Sequence, residues 1–357
     1  MVAQKWMIYG AYGYTGRLVA EEAVRRGHRP VLAGRSKSKL IELAEHLGLD
    51  WVAVDLHAEN ELNKAVGKVG LVFHAAGPFI HTSSPMLQAC LNRGTHYLDI
   101  TGEIPVFQQT FSYDQAARRQ GVALISGVGF DVIPTDCLAN YVASQVPQAI
   151  QLDIAFASPG KASAGTFKSA LGMLPGGGLV RRAGELVPWP LGKGIKRLRF
   201  SDKVRTALPI PWGDLETAYR ATRIPNITTY MAFPRRLSEV VRVVSPVGQG
   251  LLTLGMLRRI AGRWADNFVQ GPDVQLRKTG RSHLWACAAD RAGYQVEAWV
   301  ETLEAYQFTA VAGVRCVEKL FENSLQGALT PAQAFGADFV LEIEGSGQKT
   351  IRLDMLT

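Results

Sequence analysis

Short, continuous apolar runs alternate with amphipathic helical patterns through the first third of the chain. The apolar runs lie in KWMIYG, RPVLAGR, WVAVDL, GLVFHAAG, HYLDITG and VALISGVG, and each is followed by a helix-like segment. Continuous apolar strands joined by helices are typical of a parallel sheet that is covered on both faces. The pattern therefore predicts a six-stranded, Rossmann-type doubly wound α/β fold, with its ligand crevice at the carboxyl ends of the strands.

Beyond this region the pattern predicts a second α/β domain with a mixed sheet. A helix is expected over about residues 134–146, and several of the strand-like runs after it alternate with period two, as in a sheet with one covered face. These runs lie at 151–157, 216–223, 227–233, 282–289, 294–301 and 337–344. Among them, residues 163–184 resemble a helix that runs into three consecutive glycines, which is either a mobile lid or a simple connecting loop.

The segment YGAYGYTGRL places three glycines between the first predicted strand and the first predicted helix. In this context the spacing GxxGxxG is typical of a dinucleotide cradle. The first glycine permits a tight turn, the second lets backbone N–H groups approach a pyrophosphate, and the third allows close packing of helix and strand. The helix N-terminus then favours the bound anion. The predicted cradle consists of Gly10, Tyr12, Gly13, Tyr14, Thr15 and Gly16.

The end of the second predicted strand indicates which dinucleotide is bound. An NAD site usually carries an acidic residue here, but this chain has Gly34, Arg35 and Ser36, followed by further basic residues. An arginine in this place accommodates a 2′-phosphate, so we expect NADP(H); a solvated basic loop is the alternative. Asp55, after the third predicted strand, is either a partner of the adenine or a cap of the next helix.

Small residues follow the fourth predicted strand in the motif HAAGPF. They let a cofactor pass close to the backbone, so we expect Ala76, Gly77 and Pro78 to line it. His74 lies inside the apolar strand and is predicted to be a core histidine. His81 follows in a more open position and is a candidate catalytic residue.

Acidic residues follow the fifth and sixth predicted strands, where chemistry takes place in doubly wound folds. The catalytic candidates among them are Asp99, Glu103 and Asp131. Each has a structural alternative, such as a hydrogen bond to turn amides, and Asp136 is placed in the first turn of a helix. The proton donor is left open among Tyr12, His81, His96 and Tyr97, which are reachable by their sequence positions.

The motifs GAYGYTG, AGRS, HAAGPF, YLDITGE and GFDVIPTD occur in this order at fitting separations. With them the chain resembles the saccharopine dehydrogenase-like oxidoreductases, and more closely the branch that includes the trans-acting enoyl reductases. The resemblance covers most of the chain and is weakest over 160–270. It implies an NADP-binding Rossmann domain at 1–134, an inserted α/β domain for substrate binding or dimerisation at 135–305, and a closing part at 306–357 whose helix returns to the first domain.

This resemblance implies hydride transfer with NADP(H) and offers two substrate classes. In one, NADPH reduces an activated C=C bond of an acyl or lipid-like thioester, free or bound to a carrier. In the other, the hydride passes to or from a C–N bond of an amino acid conjugate, as in saccharopine dehydrogenases. A third reading, in which the chain binds NADP without turnover as a membrane-associated interaction protein, stays open because fold does not determine function.

The charge distribution indicates what kinds of partner the protein could bind. The net charge is +8, and residues 161–270 hold 18 Lys and Arg against 6 Asp and Glu. This region is suited to an acidic carrier protein, a phosphate group or an anionic membrane, or is a solubilising surface. Within it, residues 245–264 have the features of an interfacial helix that meets a membrane, a lipid chain or a second copy in a homodimer; a core-facing helix is the alternative.

The remaining features exclude several classes. No apolar run has transmembrane length, and because the chain enters a predicted strand almost at once we expect no signal peptide. The basic residues lack the aromatic interleaving of nucleic-acid-binding modules, so no nucleic-acid role is expected. The histidines do not pair at the spacing of metal ligands, and the four cysteines are isolated. We expect a cytoplasmic protein without a metal, with peripheral membrane contact as an alternative.

Overall fold

The computed structural model describes residues 5–159, 177–234, 271–347 and 350–355. The chain divides into two compact units, one formed by Met1–Asp131 with Tyr306–Phe335 and the other by Val132–Ala305 with Gly336–Thr357. The stretch 245–264 and most of the predicted lid lie outside the described residues. No described helix is long and apolar enough to cross a bilayer.

The first unit contains a seven-stranded parallel sheet. Its strands are β1 (Trp6–Tyr9), β2 (Val31–Gly34), β3 (Trp51–Ala53), β4 (Leu71–His74), β5 (His96–Asp99), β6 (Ala123–Ile125) and β15 (Gly327–Leu329). They lie in the order β15-β6-β5-β4-β1-β2-β3, and all neighbouring pairs are parallel. The order 3-2-1-4-5-6 is that of a doubly wound dinucleotide-binding fold, which confirms the predicted fold class.

The helices of this unit follow the predicted alternation. They are α1 (Tyr14–Arg25), α2 (Lys37–Leu47), α3 (Glu59–Val66), α4 (Phe79–Arg93), α5 (Ile104–Ser112), α6 (Asp114–Gln120), α10 (Ala305–Glu322) and α11 (Pro331–Phe335). Strands β1 and β4 are buried along their whole length, as the continuous apolar runs predict. The chain therefore forms a sheet covered by helices, with its strand ends free to hold loops.

Helix α10 packs directly against this sheet. A Cβ atom on Gly313 would lie 2.8 Å from the ring of Phe73 in β4, so only glycine allows this close approach. At its other end, α10 is tied to the turn after α1, because Glu318 accepts two hydrogen bonds from Arg26 at 2.8 and 2.6 Å and pairs with His28 at 3.0 Å. A late segment of the chain thus completes the core of the first unit.

The second unit contains a nine-stranded sheet. Its strands are β7 (Gln151–Ala157), β8 (Gly178–Arg182), β9 (Glu185–Trp189), β10 (Lys196–Arg199), β11 (Val204–Pro209), β12 (Asn226–Phe233), β13 (Arg281–Ala289), β14 (Tyr294–Leu303) and β16 (Thr350–Met355). The main order is β10-β11-β12-β7-β13-β14-β16, and β8 pairs with β12 and β9. The pair β7–β12 is parallel and the others are antiparallel, which confirms the predicted mixed sheet.

The described helices of the second unit are α7 (Ile133–Gln145), α8 (Asp214–Thr222) and α9 (Val274–Thr279), with a 3₁₀ turn at Phe339–Glu342. The strand predicted at 216–223 was wrong, because this segment is α8. Its buried Leu215 and Ala218 are spaced by three residues, and acidic Asp214 and Glu216 favour a helix start.

Three further sequence expectations need correction. The strand predicted at 337–344 is the 3₁₀ turn. The end of the predicted helix-like stretch, Gly178–Arg182, is strand β8. The first sheet has a seventh strand, β15, beyond the six predicted; it follows α10 and lies outside the alternation of strands and helices in the first third of the chain.

Candidate cofactor and active site

The glycine loop between β1 and α1 is built for close backbone contact. Gly10 has φ of 86°, in the left-handed region, and a Cβ there would lie 2.8 Å from the backbone nitrogen of Ala76. A Cβ on Gly16 would lie 2.2 Å from the carbonyl oxygen of Gly10. The Gly13 N–H donates to that same oxygen at 3.0 Å. Only glycine fits the first and third positions without moving the backbone.

The start of α1 is open to an anion. Its N-cap is Gly13, which has no side-chain oxygen to accept the helix amides, and the first turn holds no acidic residue. The first N–H groups of a helix lack intrahelical partners and carry a partial positive charge. The backbone at Tyr14, Thr15 and Gly16 therefore forms the kind of site that binds a pyrophosphate.

Tyr12 links the glycine loop to the end of β2. A Cβ on Gly34 would lie 2.6 Å from the Tyr12 ring, so the missing side chain makes room for the tyrosine. The Tyr12 hydroxyl accepts a hydrogen bond from the backbone N–H of Ser36 at 3.3 Å. The Lys39 ammonium lies 5.7 Å from the ring centroid, a cation–π distance. Lys39 is one of the basic residues that follow Ser36 in the sequence.

Arg35 and Asp55 stand at the ends of adjacent strands. Arg35 is exposed next to Ser36, the N-cap of α2. The Asp55 carboxylate accepts a hydrogen bond from the His57 N–H at 2.9 Å, so it supports the turn before α3 and is not the N-cap of that helix. Burial raises the pKa of Tyr9, Asp55 adds to this shift and Arg35 opposes it, so both charges act at the end of β1.

The loop after β4 is held from both sides. The Ala75 N–H donates to the carbonyl of Tyr9 at 2.8 Å, and the Thr82 hydroxyl donates to the carbonyl of Ala76 at 2.6 Å. Gly77 is exposed and Pro78, joined to it by a cis peptide bond, is half-buried. The expected cofactor-lining residues therefore lie beside the glycine loop and keep accessible surface. Thr82, which the sequence reasoning missed, is one turn into α4.

The histidines divide between core and surface. His74 is fully buried, and burial lowers its pKa to about 3; its Nδ1 lies 3.2 Å from the hydroxyl of Tyr97. It is the predicted core histidine. His96 begins β5 at the amino edge of the sheet, where its Nδ1 accepts the Ala123 N–H at 3.0 Å, and Tyr97 is fully buried. Neither His96 nor Tyr97 is therefore a proton donor to substrate. His81 is exposed in the first turn of α4.

Asp99 organises the loops at the carboxyl edge. It is fully buried and accepts hydrogen bonds from the N–H groups of Thr101 at 2.9 Å and Gly127 at 3.0 Å, and from the Ser126 hydroxyl at 2.8 Å. Burial raises its pKa to about 6, although these hydrogen bonds oppose the shift. These contacts correspond to the structural alternative, in which Asp99 holds turn amides.

Glu103 and Asp131 meet at the same edge. The Glu103 carboxylate accepts hydrogen bonds from the N–H groups of Phe79 at 3.0 Å and Ile80 at 2.8 Å, the first two residues of α4. Asp131 is half-buried, and its carboxylate lies against Gly102, where a Cβ would be 3.3 Å from Oδ2. Burial raises the pKa of Asp131 to about 7, and the charge of Glu103 adds to the shift.

The remaining acidic residue that the sequence singles out, Asp136, has a structural place in α7. Asp136 is fully buried in the first turns of α7, where it accepts a hydrogen bond from Asn140 at 3.3 Å. Within the described ranges, no group of three or more His, Cys, Asp or Glu is arranged to hold a metal ion. The cradle and the small residues after β4 fit the close backbone contact that a dinucleotide requires, and the basic end of β2 presents the exposed Arg35, the kind of residue that accommodates a 2′-phosphate.

Residues 6–125 therefore define a dinucleotide-binding domain. They match the family model of the saccharopine dehydrogenase NADP binding domain. The match spans β1 to β6 with the glycine loop and the basic end of β2, so this part of the chain is an NADP-binding domain, as its motifs predict.

Similarity to curated proteins extends over part of their length. The chain is 30% identical over 252 residues to a saccharopine dehydrogenase-like oxidoreductase of Rattus norvegicus, covering 61% of this chain and 58% of the relative. It is 33% identical over 138 residues to a trans-acting enoyl reductase of Mycobacterium tuberculosis, covering 36% of this chain and 33% of the relative. The chain thus spans between a third and three fifths of these two relatives.

Among solved structures, saccharopine dehydrogenase (L-Glu forming) of Saccharomyces cerevisiae has the same fold. The TM-score is 0.66 at 11% sequence identity, and the match covers 98% of this chain and 100% of the yeast chain. At this identity the likeness concerns the fold of the chain, including the mixed sheet of the second unit.

Proposed function

We propose that this protein is an NADPH-dependent reductase that acts on an activated C=C bond of an acyl or lipid-like thioester. The observation that carries the proposal is a half-buried carboxyl group, Asp131, at the carboxyl edge of an NADP-binding sheet, with a pKa raised to about 7. The 33% identity to a trans-acting enoyl reductase supports the substrate class. A reductase needs a proton source as well as a hydride source, and a carboxyl group that titrates near neutral pH suits this task.

The residues of the first unit have distinct parts in cofactor binding. The amides at the start of α1 bind the pyrophosphate, and Gly10 and Gly16 keep the loop close enough for them to do so. Arg35, with the N-cap residue Ser36, binds the 2′-phosphate through charge-assisted hydrogen bonds. Residues 76–78 line the nicotinamide end, and Asp55 lies on the adenosine side.

The protein supplies the proton that the reduction requires. When bound, NADPH supplies a hydride to one carbon of the C=C bond. Asp131 gives its proton to the other carbon, so that the substrate gains one hydride and one proton, and water then returns a proton to the carboxylate. Glu103 stays hydrogen-bonded to α4 throughout, and His81 is the alternative donor because it is exposed at the start of the same helix.

An acidic carrier protein is the proposed partner. The described part of the basic region presents five exposed basic side chains on β10 and the loops beside it, of which one, Lys196, pairs with Asp153. The other four are Lys193, Arg197, Arg199 and Lys203. A concentrated positive patch attracts acidic surfaces and steers their approach. An anionic membrane and a second copy of the chain are the other partners to test, and residues 245–264, which belong to the same region, lie outside the described residues.

A second candidate activity is reduction or oxidation at a C–N bond of an amino acid conjugate. The longer match to the rat saccharopine dehydrogenase-like oxidoreductase favours it, since 252 residues align there against 138 for the enoyl reductase. Such a substrate carries carboxylates, so it requires cationic side chains at the reacting end. NADP binding without turnover is the third outcome.

The test combines binding and turnover. The purified full chain is titrated calorimetrically with NADPH and NADH, and NADPH oxidation is then followed at 340 nm with a medium-chain enoyl thioester, free and attached to an acidic carrier protein. Oxidation that depends on the thioester supports the proposal. Oxidation only with an imine formed from an amino acid supports the second candidate, and binding without oxidation of either contradicts both.

A further inference from the structure

Glu103 is hydrogen-bonded to the start of α4 and directly follows Gly102, the residue against which Asp131 lies. Both Glu103 oxygens are occupied by backbone N–H groups, those of Phe79 at 3.0 Å and Ile80 at 2.8 Å. A helix start favours a negative charge, because its amides have no intrahelical partners. Glu103 is itself buried, with 5% of its surface exposed. The carboxylate is therefore fixed in place, and its charge has little water around it to screen it.

Asp131 lies against the residue that precedes Glu103. A Cβ on Gly102 would be 3.3 Å from Oδ2 and 3.5 Å from Cβ of Asp131, so the aspartate side chain lies flat on the backbone at this glycine. The two carboxyl groups therefore belong to adjacent loops at one edge of the sheet. A fixed negative charge close to a carboxyl group opposes the ionisation of that group, and here the Glu103 charge acts in this way on Asp131.

We infer that Glu103 is a positioning residue which, held by the start of α4, keeps the proton on Asp131 at neutral pH. The inference rests on the proposed function, in which Asp131 gives that proton to the substrate. Glu103 need not touch the substrate, because its oxygens are already bound by α4. The same contact links proton supply to the cofactor loop, since Phe79 directly follows the cofactor-lining residues 76–78.

The other groups at this loop act differently on Asp131. Asp99, at the base of the loop, also has a raised pKa, of about 6. It is fully buried, however, and its carboxylate accepts hydrogen bonds from Ser126, Thr101 and Gly127. Helix α10 meets the loop through the uncharged side chains of Phe308 and Thr309. Among the causes that raise the pKa of Asp131, burial comes first and the charge of Glu103 second.

The experiment is a carboxyl ¹³C NMR titration of the full chain labelled at aspartate, with the Asp131 signal assigned from Asp131→Asn. In the wild type we expect a midpoint of about 7. In Glu103→Gln, which keeps an acceptor for α4 but removes the charge, the midpoint falls by about half a pH unit or more. In Glu103→Asp, which keeps the charge, it stays closer to the wild type.

A second variant, Gly102→Ala, tests the inference if Glu103→Gln does not fold. Gly102→Ala leaves Glu103 intact and pushes the Asp131 carboxylate outward, so its midpoint also falls. An unchanged Asp131 midpoint in either folded variant overturns the inference. The titration needs no turnover, so it separates the two claims: a shifted midpoint with full hydride transfer in Asp131→Asn supports the role of Glu103 and overturns the proton-donor role of Asp131.

Discussion

The carbonyl oxygen of Gly10 lies 2.2 Å from the position that a Cβ atom of Gly16 would occupy. The end of β1 and the first turn of α1 are therefore in direct backbone contact. This contact keeps the loop short and leaves the amides at the start of α1 uncovered by side chains. The geometry of the loop thus depends on the absence of side chains at positions where the chain has glycine.

Gly13→Val is expected to abolish NADPH binding while the protein stays folded. The backbone at Gly13 has φ −69° and ψ 161°, which valine adopts readily, but the new side chain stands in front of the start of α1 and its Cβ lies 3.2 Å from the Gly10 oxygen. Calorimetric titration measures the affinity, and circular dichroism checks the fold. Wild-type affinity for NADPH would contradict the cradle assignment.

Gly94→Ala is the matched control for that variant. Gly94 ends α4 with φ 64°, and a Cβ there meets nothing within 4 Å. The strained backbone costs about 1 kcal/mol of stability. The NADPH affinity is expected to stay unchanged, because the site is remote from the glycine loop.

Arg35→Ala is expected to weaken NADPH binding about tenfold or more and to leave NADH binding within about twofold. The reason is that only NADPH carries a 2′-phosphate, the group that we propose the exposed guanidinium binds. Lys64→Ala, an exposed lysine near the end of α3, controls for the loss of one positive charge. Equal losses for the two dinucleotides in Arg35→Ala would refute the assignment of the phosphate site.

Asp131→Asn is expected to lower turnover about 100-fold and to leave the NADPH dissociation constant unchanged. The raised pKa of about 7 means that the carboxyl group holds its proton below pH 7, so the wild-type rate should be highest there and decline as the pH rises through 7. Rates of hydride transfer measured between pH 5.5 and 9 test this. If His81→Gln abolishes the pH dependence and Asp131→Asn does not, the donor is His81.

Glu318→Gln is expected to destabilise the protein by about 1–3 kcal/mol at pH 7. Burial alone would raise the pKa of Glu318, but hydrogen bonds from Arg26, His28 and Arg315 hold it at about 2, below its usual 4.5. A carboxyl group with a lowered pKa stabilises the fold above pH 4.5 and loses that contribution as the pH falls toward 2. The difference between wild type and variant in urea unfolding should therefore shrink over this range.

Sequence patterns predicted most of the first unit because neighbouring residues determine each of its strands, loops and helices. The strand β1, the glycine loop and α1 lie within twenty consecutive residues, and a periodic pattern or a glycine requirement identifies each. Strand β15 was not predicted because its partner in the sheet, β6, lies about 200 residues earlier in the chain, beyond the whole alternating pattern of the first unit. No local pattern encodes such a pairing.

The acidic residues show a different limit. Asp99 is the last residue of β5, and Glu103 and Asp131 lie in the loops after strands, so position alone does not distinguish their roles. Their roles depend on which backbone amides lie within hydrogen-bonding distance, and those of Phe79, Ile80 and Gly127 are brought there by the packing of neighbouring loops. Burial, which sets the pKa of each group, likewise arises only when the sheet has formed.

Strand β15 and helix α10 have a consequence for synthesis on the ribosome. The cradle emerges first, but the sheet that supports it is completed only when residues 305–329 have been translated, after nearly the whole second unit. Until then the edge of β6 and the face of β4 that receives Gly313 lack their partners. The nucleotide-binding domain thus begins to fold before the second unit is made and finishes only after most of that unit has been made. A nascent chain that stalls within the second unit exposes an open sheet edge to chaperones and to aggregation.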